Sequence, residues 1–227
     1  MRYHWFHRLD ASTPVLTYPD ELTGETELRV ACTQTGLSPS KQRALVRTWC
    51  EVLPTLSHVK ALRLTSRVPQ VLFDAACQMP QLADLWVKWS GVTTIAAIKS
   101  VASLQYFHLG SSARLESIEP LAQMHQLKWL GLENLNRVDT VEVLGNLTEL
   151  DGLSLEGSMW NTWRIRSLAP LGSLRNLKYL SLAALRSEDR SLAPLFSLSG
   201  LETLILPTWW DDAEIQEIRR RNRSLAV

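Results

Sequence analysis

Hydrophobic residues return along this chain in a fixed pattern, apolar-x-x-apolar-x-apolar, at intervals of more than twenty residues. The pattern first occurs as Val59, Leu62 and Leu64. Six further copies begin at Leu82, Leu104, Leu127, Leu150, Leu177 and Leu201. Successive starts are 23, 22, 23, 23, 27 and 24 residues apart. Because alternate residues of a strand face the same side, the last two apolar residues of each copy enter the core together, and the pattern predicts seven short strands.

Further apolar residues follow most strands at spacings of three, as in Leu115, Ile118 and Leu121. This spacing is typical of a short helix or a 3₁₀ turn. Three of these segments carry a proline at the equivalent position: Pro120, Pro170 and Pro194. Proline is accepted in the first turn of a helix but interrupts a long one, so these segments are predicted to be short.

The seven copies resemble the leucine-rich-repeat family, whose L-x-x-L-x-L pattern has a period of about 20 to 29 residues. The resemblance implies an α/β solenoid with a parallel β-sheet on its concave face and short helices or 3₁₀ turns on its convex face. The family's Asn or Cys, three positions after the third leucine, is replaced here by Arg67, Ser90, Ser112, Leu135, Ser158, Leu185 and Trp209. We therefore expect the usual hydrogen-bond ladder between repeats to be partial, or replaced by Ser hydroxyls and water.

The two ends of the chain lack the period, and we interpret them as caps that cover the ends of the array. Residues 1–58 are predicted to form an N-terminal cap of short strands and a helix over residues 38–53. Residues 59–207 are the repeats. Residues 208–227 are acidic first and basic last, which complements a helix macrodipole and predicts a C-terminal capping helix.

Strand positions that the core pattern leaves free should face outward, and a solenoid binds its partners through such positions. Aromatic residues, which are enriched at interface hot spots, concentrate there in the first half of the array. The predicted partner-binding residues on the strands are Arg63, Trp86, Lys88, Trp89, Tyr106, His108, Trp129, Glu133, Glu156 and Tyr179. Charge changes along this surface from basic in the early repeats to acidic in the later ones, which would orient a partner. The alternative is that the rings pack on one another or under the N-terminal segment.

One interval between repeats is 27 residues long, and its surplus lies at residues 156–164. An insertion in one coil of a solenoid becomes a protruding loop. This loop carries Trp160 and Trp163, which we also predict to contact a partner. The alternative is that they fold down as a lid.

Composition gives no sign of a nucleic-acid or membrane surface, because 24 Lys and Arg against 23 Asp and Glu leave a net charge of only +1. No apolar run approaches the roughly 18 residues of a membrane helix, and no export signal is visible. The three cysteines are widely spaced and odd in number, which fits reduced thiols. We expect a cytoplasmic protein that is a monomer on its own.

No catalytic motif is present, since the sequence has no Gly-rich phosphate loop, nucleophile elbow or zinc-protease helix. The closest histidine pair, His4 and His7, has no Cys, Asp or Glu beside it at metal-ligand spacing. We therefore expect no enzyme, no metal site and no cofactor.

Taken together, these patterns predict a protein–protein interaction module that binds a partner protein on its concave face. By analogy of architecture, we consider an immunity or antitoxin protein that sequesters and inhibits a toxin enzyme. One alternative is an RNA- or phosphate-binding solenoid, because arginines recur just before the first convex apolar residue: Arg67, Arg114, Arg137 and Arg164. A second alternative is an intracellular scaffold or the regulatory subunit of an enzyme.

Overall fold

The computed structural model describes residues 13–223 and residue 225. The strands in this part of the chain are β1 (Val15–Leu16), β2 (Glu27–Val30), β3 (Ala61–Val68), β4 (Asp84–Ser90), β5 (Tyr106–Leu109), β6 (Trp129–Glu133), β7 (Gly152–Glu156), β8 (Trp163–Ile165), β9 (Tyr179–Ser181), β10 (Leu185–Ser187) and β11 (Thr203–Ile205). The α-helices are α1 (Pro39–Val52), α2 (Gln70–Ala76) and α3 (Asp212–Arg221). Within these residues, no helix is long and apolar enough to cross a membrane.

Nine of these strands form one parallel sheet in the order β1-β2-β3-β4-β5-β6-β7-β9-β11, which follows the chain. The register keeps the repeats in step, so that Leu62 lies opposite Leu85 and Leu85 opposite Phe107. The strands β8 and β10 form a second, two-stranded parallel sheet. The hydrophobic period of the sequence therefore becomes a stack of apolar layers.

Short helical segments close each repeat on the side opposite the sheet. The repeat of β3 uses helix α2, and the later repeats use 3₁₀ turns at Ala96–Ser100, Glu119–Gln123, Glu142–Asn146, Ala169–Ser173 and Ala193–Ser197. Three of these turns have proline in their first positions, as the sequence pattern predicts. This alternation of parallel strands and short turns confirms the predicted α/β solenoid.

The core lies between the sheet and the turns, and its strand residues, such as Leu130 and Leu153, are fully buried. Burying one aliphatic side chain stabilises the fold by roughly 1.5–3 kcal/mol. A single repeat has too little neighbouring surface to achieve this, so the array is expected to fold through contacts between successive repeats.

Serine hydroxyls replace part of the ladder of polar contacts between repeats. The hydroxyls of Ser90 and Ser112 lie 2.6 Å apart in the interior, and Ser112 Oγ donates to the Gly110 carbonyl at 2.7 Å. The Asn134 amide donates to Ser111 Oγ at 2.8 Å. The expected replacement by serine is confirmed at Ser90 and Ser112.

Both ends of the array are tied to their neighbours by specific hydrogen bonds. The buried Trp49 of α1 donates from Nε1 to the Thr17 carbonyl at 2.9 Å, which joins the helix to the loop after β1. The strand β2 continues the sheet next to β3. At the other end, Asp211 caps α3 by accepting from the backbone N–H of Glu214 at 3.1 Å, and Asn222 Oδ1 accepts from the Leu201 N–H at 3.0 Å.

Candidate functional site

The outward side chains of the nine-stranded sheet, here called the sheet face, line up in rows because each strand pairs in register with the next. One row contains Arg63, Trp86, His108, Gly131, Ser154 and Ser181. The adjacent row contains Asp84, Tyr106, Trp129, Gly152 and Tyr179. Neighbouring strands are about 4.8 Å apart, so successive side chains of a row are in contact range.

Trp86 and His108 stack on one another, with ring centroids 5.5 Å apart and planes inclined by 11°. The next residue in the row is Gly131, and a Cβ atom there would lie 2.5 Å from Nδ1 of His108. The histidine ring therefore lies flat over the glycine and is only 1% exposed. The expected exposure of His108 is wrong, because Gly131 leaves space for its ring.

Trp129 lies down over Gly152 in the same way, since a Cβ atom at Gly152 would come within 2.1 Å of the indole. Its ring also packs against Tyr179 at a centroid distance of 4.9 Å. Only 6% of Trp129 remains exposed, so the sequence-based expectation that its ring faces solvent is also wrong. The alternative, in which the rings pack on one another, describes both residues. The missed signal is the outward glycine one repeat after each ring.

Other predicted residues of the sheet face remain accessible. Trp86, Tyr106 and Tyr179 are partly exposed, whereas Lys88 and Trp89 are exposed. Lys88 and Trp89 line an open groove of about 600 Å³ beside the loop that follows β2. These five residues remain predicted partner contacts.

Arg63 is buried in an ion pair across β3 and β4, with both of its terminal nitrogens donating to the two carboxylate oxygens of Asp84. Its exposure was predicted from its outward strand position, and this is wrong because its guanidinium group turns along the sheet to pair with Asp84, which leaves only 3% of Arg63 exposed. The bidentate geometry is the strongest form of an Arg–carboxylate contact.

Glu133 and Glu156, the last residues of β6 and β7, lie directly opposite one another. Burial, followed by the negative charge of Glu156, raises the pKa of Glu133 from 4.5 to about 7. Glu156 is held by hydroxyl donors, Ser154 Oγ at 2.6 Å and Ser181 Oγ at 2.7 Å. The sheet face therefore carries two neighbouring carboxyl groups, here called the acidic pair. The pKa of one of them, Glu133, lies near neutral pH.

The nearest ring to Glu133 does not neutralise it. His108 Nε2 lies 3.4 Å from Glu133 Oε1, a distance that would suit an ion pair. However, burial, followed by the charge of Arg63, lowers the pKa of His108 to about 3. The histidine is therefore uncharged at neutral pH and does not form an ion pair with Glu133.

We expect Glu133→Gln to be more stable than the wild type at pH 8, by ~1–3 kcal/mol, and the difference to shrink towards pH 5. The folded-state pKa of Glu133 is raised. Its contribution to the free energy of unfolding is therefore fully present below about pH 4.5 and is lost as the pH rises through about 7. Chemical denaturation at several pH values measures this. Glu156→Gln removes the neighbouring charge, and its stability at pH 8 should lie between those of wild type and Glu133→Gln. Parallel pH profiles for wild type and Glu133→Gln would contradict the assignment.

The loop between β7 and β8 presents two large apolar side chains to solvent, Met159 at 92% and Trp160 at 88% exposure. Its turn is closed by hydrogen bonds from Ser158 N to the Asn161 carbonyl at 2.8 Å and from Asn161 N to Ser158 Oγ at 2.9 Å. The N–H of Gly157 donates to Ala183 in the next repeat at 2.9 Å. The two apolar side chains thus project into solvent from a hydrogen-bonded turn.

Trp163 is not part of this exposed surface. The expectation that its side chain is exposed to a partner is therefore wrong. It lies in β8, is fully buried, and donates from Nε1 to the Val138 carbonyl at 2.7 Å. The strand alternates, so that Trp163 and Ile165 face the core while Arg164 faces solvent. Part of the 27-residue interval therefore forms a strand instead of a loop.

The described residues contain no group of three His, Cys, Asp or Glu side chains suited to a metal ion, and His4 and His7 lie outside them. Burial raises the pKa of the Cys32 thiol to about 12 and raises that of Cys77 as well, which disfavours the reactive thiolate. Cys50 is half-buried and also has a raised pKa, chiefly through burial.

No family model matches the sequence, and no curated protein is significantly similar to it. Among solved structures, the chain is similar to an internalin, InlF, of Listeria monocytogenes, with 19% identity over 74% of this chain and 54% of that chain and a TM-score of 0.52. It is also similar to a plant peptide hormone receptor, RGFR1, with 16% identity over 82% of this chain and 27% of that chain and a TM-score of 0.53. The chain thus spans about half of the internalin's length and about a quarter of the receptor's. With the register of its seven repeats, these likenesses show that the chain has a leucine-rich-repeat fold.

Proposed function

We propose that this chain is a protein-binding module whose partner contacts the sheet face and the Met159–Trp160 loop. The observation that carries the proposal is the near-complete exposure of Met159 and Trp160 on a closed turn. Two adjacent apolar side chains in water are unfavourable unless a partner covers them. Tryptophan is also enriched at interface hot spots, because it brings a large apolar area and one polar N–H to a contact.

The acidic pair supports a partner that carries a Lys or Arg opposite Glu133 and Glu156. At neutral pH, a bound cation would favour loss of the proton from Glu133, whose pKa is near 7. The loop begins directly after Glu156, so the acidic pair and the Met159–Trp160 loop lie at the same edge of the sheet. One partner surface with a basic group beside an apolar pocket would match both features.

A structure of the same fold supports this reading, since the plant receptor is seen in complex with RGF2. We further propose that binding takes place in the cytoplasm, which the reduced cysteines support, two of them deeply buried.

The loop is tested by affinity capture from an extract of the source cells with immobilised protein. We expect a partner that wild type recovers and that the double variant Met159→Ala, Trp160→Ala recovers about tenfold less, or not at all. The control is the double variant Lys99→Ala, Gln123→Ala, which changes exposed residues on the side opposite the sheet. The proposed surface would be rejected if the loop variant and the double variant Glu133→Gln, Glu156→Gln both recovered as much partner as wild type does.

The captured partner then distinguishes the specific roles. An immunity or antitoxin role requires that the partner be an enzyme and that an equimolar amount of this protein abolish its activity. A scaffold or regulatory subunit would leave the active site of the partner open to substrate. Turnover assays of the partner, with and without this protein, separate these cases.

A further inference from the structure

A cleft of about 710 Å³ lies between helix α1 and the edge of the first repeats. Among the residues that the structure describes, four arginines line it, and all four are exposed. Arg43 and Arg47 belong to α1, Arg67 to the end of β3 and Arg114 to the segment after β5. Two of the arginines noted as a column in the sequence are thus joined here by two from the helix, and we call this site the arginine cleft.

Within the part of the chain that the structure describes, the charged residues that line the arginine cleft are all positive. No Asp or Glu lines the cleft there, and none of its four arginines forms an ion pair. Elsewhere, ion pairs are made by Arg63, Arg137, Arg166, Arg220 and Arg221. Four guanidinium groups around one concave surface focus a positive potential, which attracts an anionic ligand.

The walls of the cleft are fixed by hydrogen bonds and do not need a ligand to form. Gln42 of α1 accepts from the Gln34 N–H at 2.7 Å and donates to the Leu37 carbonyl at 2.7 Å. The Gln34 side chain in turn accepts from the Arg67 N–H at 3.0 Å. Helix, connecting loop and β3 are therefore linked, and a ligand would meet a preformed site at little reorganisation cost.

The cleft lining also contains the apolar side chains of Val46, Val71, Pro39 and Pro69, here called its apolar floor, and 58% of Val71 is exposed. No aromatic side chain lines the cleft within the described residues, so a nucleobase would lack an aromatic ring to stack on there. Guanidinium groups bind carboxylates through two parallel hydrogen bonds. An apolar floor with an arginine rim thus fits a peptide that carries both aliphatic and acidic residues.

We propose that the arginine cleft binds an acidic segment of the partner protein, with aliphatic side chains on the floor and carboxylates at the guanidinium groups. This rests on the proposed function, because it names the chemistry of one part of the partner. Thr33 and Gln34 line both this cleft and the groove that holds Lys88 and Trp89. A partner on the sheet face can therefore extend an acidic segment past Thr33 and Gln34, in the loop after β2, into the arginine cleft.

The test uses a phage-displayed library of random dodecapeptides, selected on the full protein. We expect the selected peptides to be rich in Asp, Glu and aliphatic residues, and to bind the variant Arg43→Ala, Arg47→Ala, Arg67→Ala, Arg114→Ala at least about tenfold more weakly. Their affinity should fall as salt is raised from about 50 mM to about 500 mM. The matching lysine variant keeps the charge but loses the paired hydrogen bonds, and should also bind more weakly.

Two controls separate this site from the sheet face. Arg219→Ala, Arg223→Ala removes exposed positive charges from α3 and the residues after it, and should retain full peptide affinity. Met159→Ala, Trp160→Ala should also retain it, so the cleft and the loop can fail independently. Selected peptides without acidic residues, or affinity that survives both the alanine and the lysine variants, would overturn the proposal. A single-stranded RNA oligonucleotide that binds the cleft more tightly than the peptides would assign it to nucleic acid instead.

Discussion

Trp163→Ala is expected to lower the free energy of unfolding by about 3–5 kcal/mol, whereas Trp160→Ala should change it by less than about 0.5 kcal/mol. The two residues are three positions apart, but Trp163 is fully buried and donates to the Val138 carbonyl, while Trp160 is 88% exposed. Removing the buried indole leaves a cavity and an unpaired carbonyl group. Chemical denaturation of the two variants measures the contrast.

Trp163→Phe serves as the control, because it keeps most of the buried ring and loses only the hydrogen bond. Its loss of stability should be smaller than that of the alanine variant. If Trp163→Ala and Trp160→Ala were equally stable, the assignment of Trp163 to the core would be wrong. Loss of partner binding should follow the opposite order, with Trp160→Ala more affected than Trp163→Phe.

Arg63→Ala is expected to destabilise the fold by about 3–5 kcal/mol, because it leaves the Asp84 carboxylate partly buried without its partner. The exposed fractions of the two side chains are only 4% for Arg63 and 13% for Asp84. The double variant Arg63→Leu, Asp84→Leu removes both charges and should recover most of this loss. Equilibrium unfolding in urea of the three proteins provides the measurement.

An exposed ion pair provides the comparison for this experiment. Arg137 and Glu116 are joined at 3.0 Å, but their side chains are 57% and 69% exposed. Arg137→Ala should therefore cost less than about 1 kcal/mol. A result in which the Arg63 single variant and the double variant are equally unstable would show that the charge of Asp84 is not the cause.

The sequence predicts the repeats well because each repeat carries its own apolar signal, and the observed register joins Leu62 to Leu85 and Leu85 to Phe107, with a shift between β3 and β4 only after Leu64. The exposure of the rings is harder to predict. An outward strand position normally means a side chain in solvent, but Gly131 and Gly152 give the preceding ring room to lie flat.

Two other features depend on contacts that a linear pattern does not contain. The surplus of residues between two repeats indicates an insertion, but it does not reveal that Trp163 starts a strand paired with β10. The arginine cleft combines α1 with the repeat that follows it and with Arg114, which belongs to a more distant repeat. The recurrence of Arg67 and Arg114 points to one of its walls, whereas the contribution of Arg43 and Arg47 follows only from where the helix packs.

The rings that lie over glycines make the repeats of this solenoid non-interchangeable. In an array of identical units, one unit can be removed and its neighbours joined. Here, deleting residues 127–149 would bring His108 opposite Ser154 instead of Gly131, and Tyr106 opposite Gly152. The order of the repeats therefore determines the packing on the sheet face as well as in the core. A shortened, extended or shuffled version of this protein should keep each ring next to the glycine over which it lies.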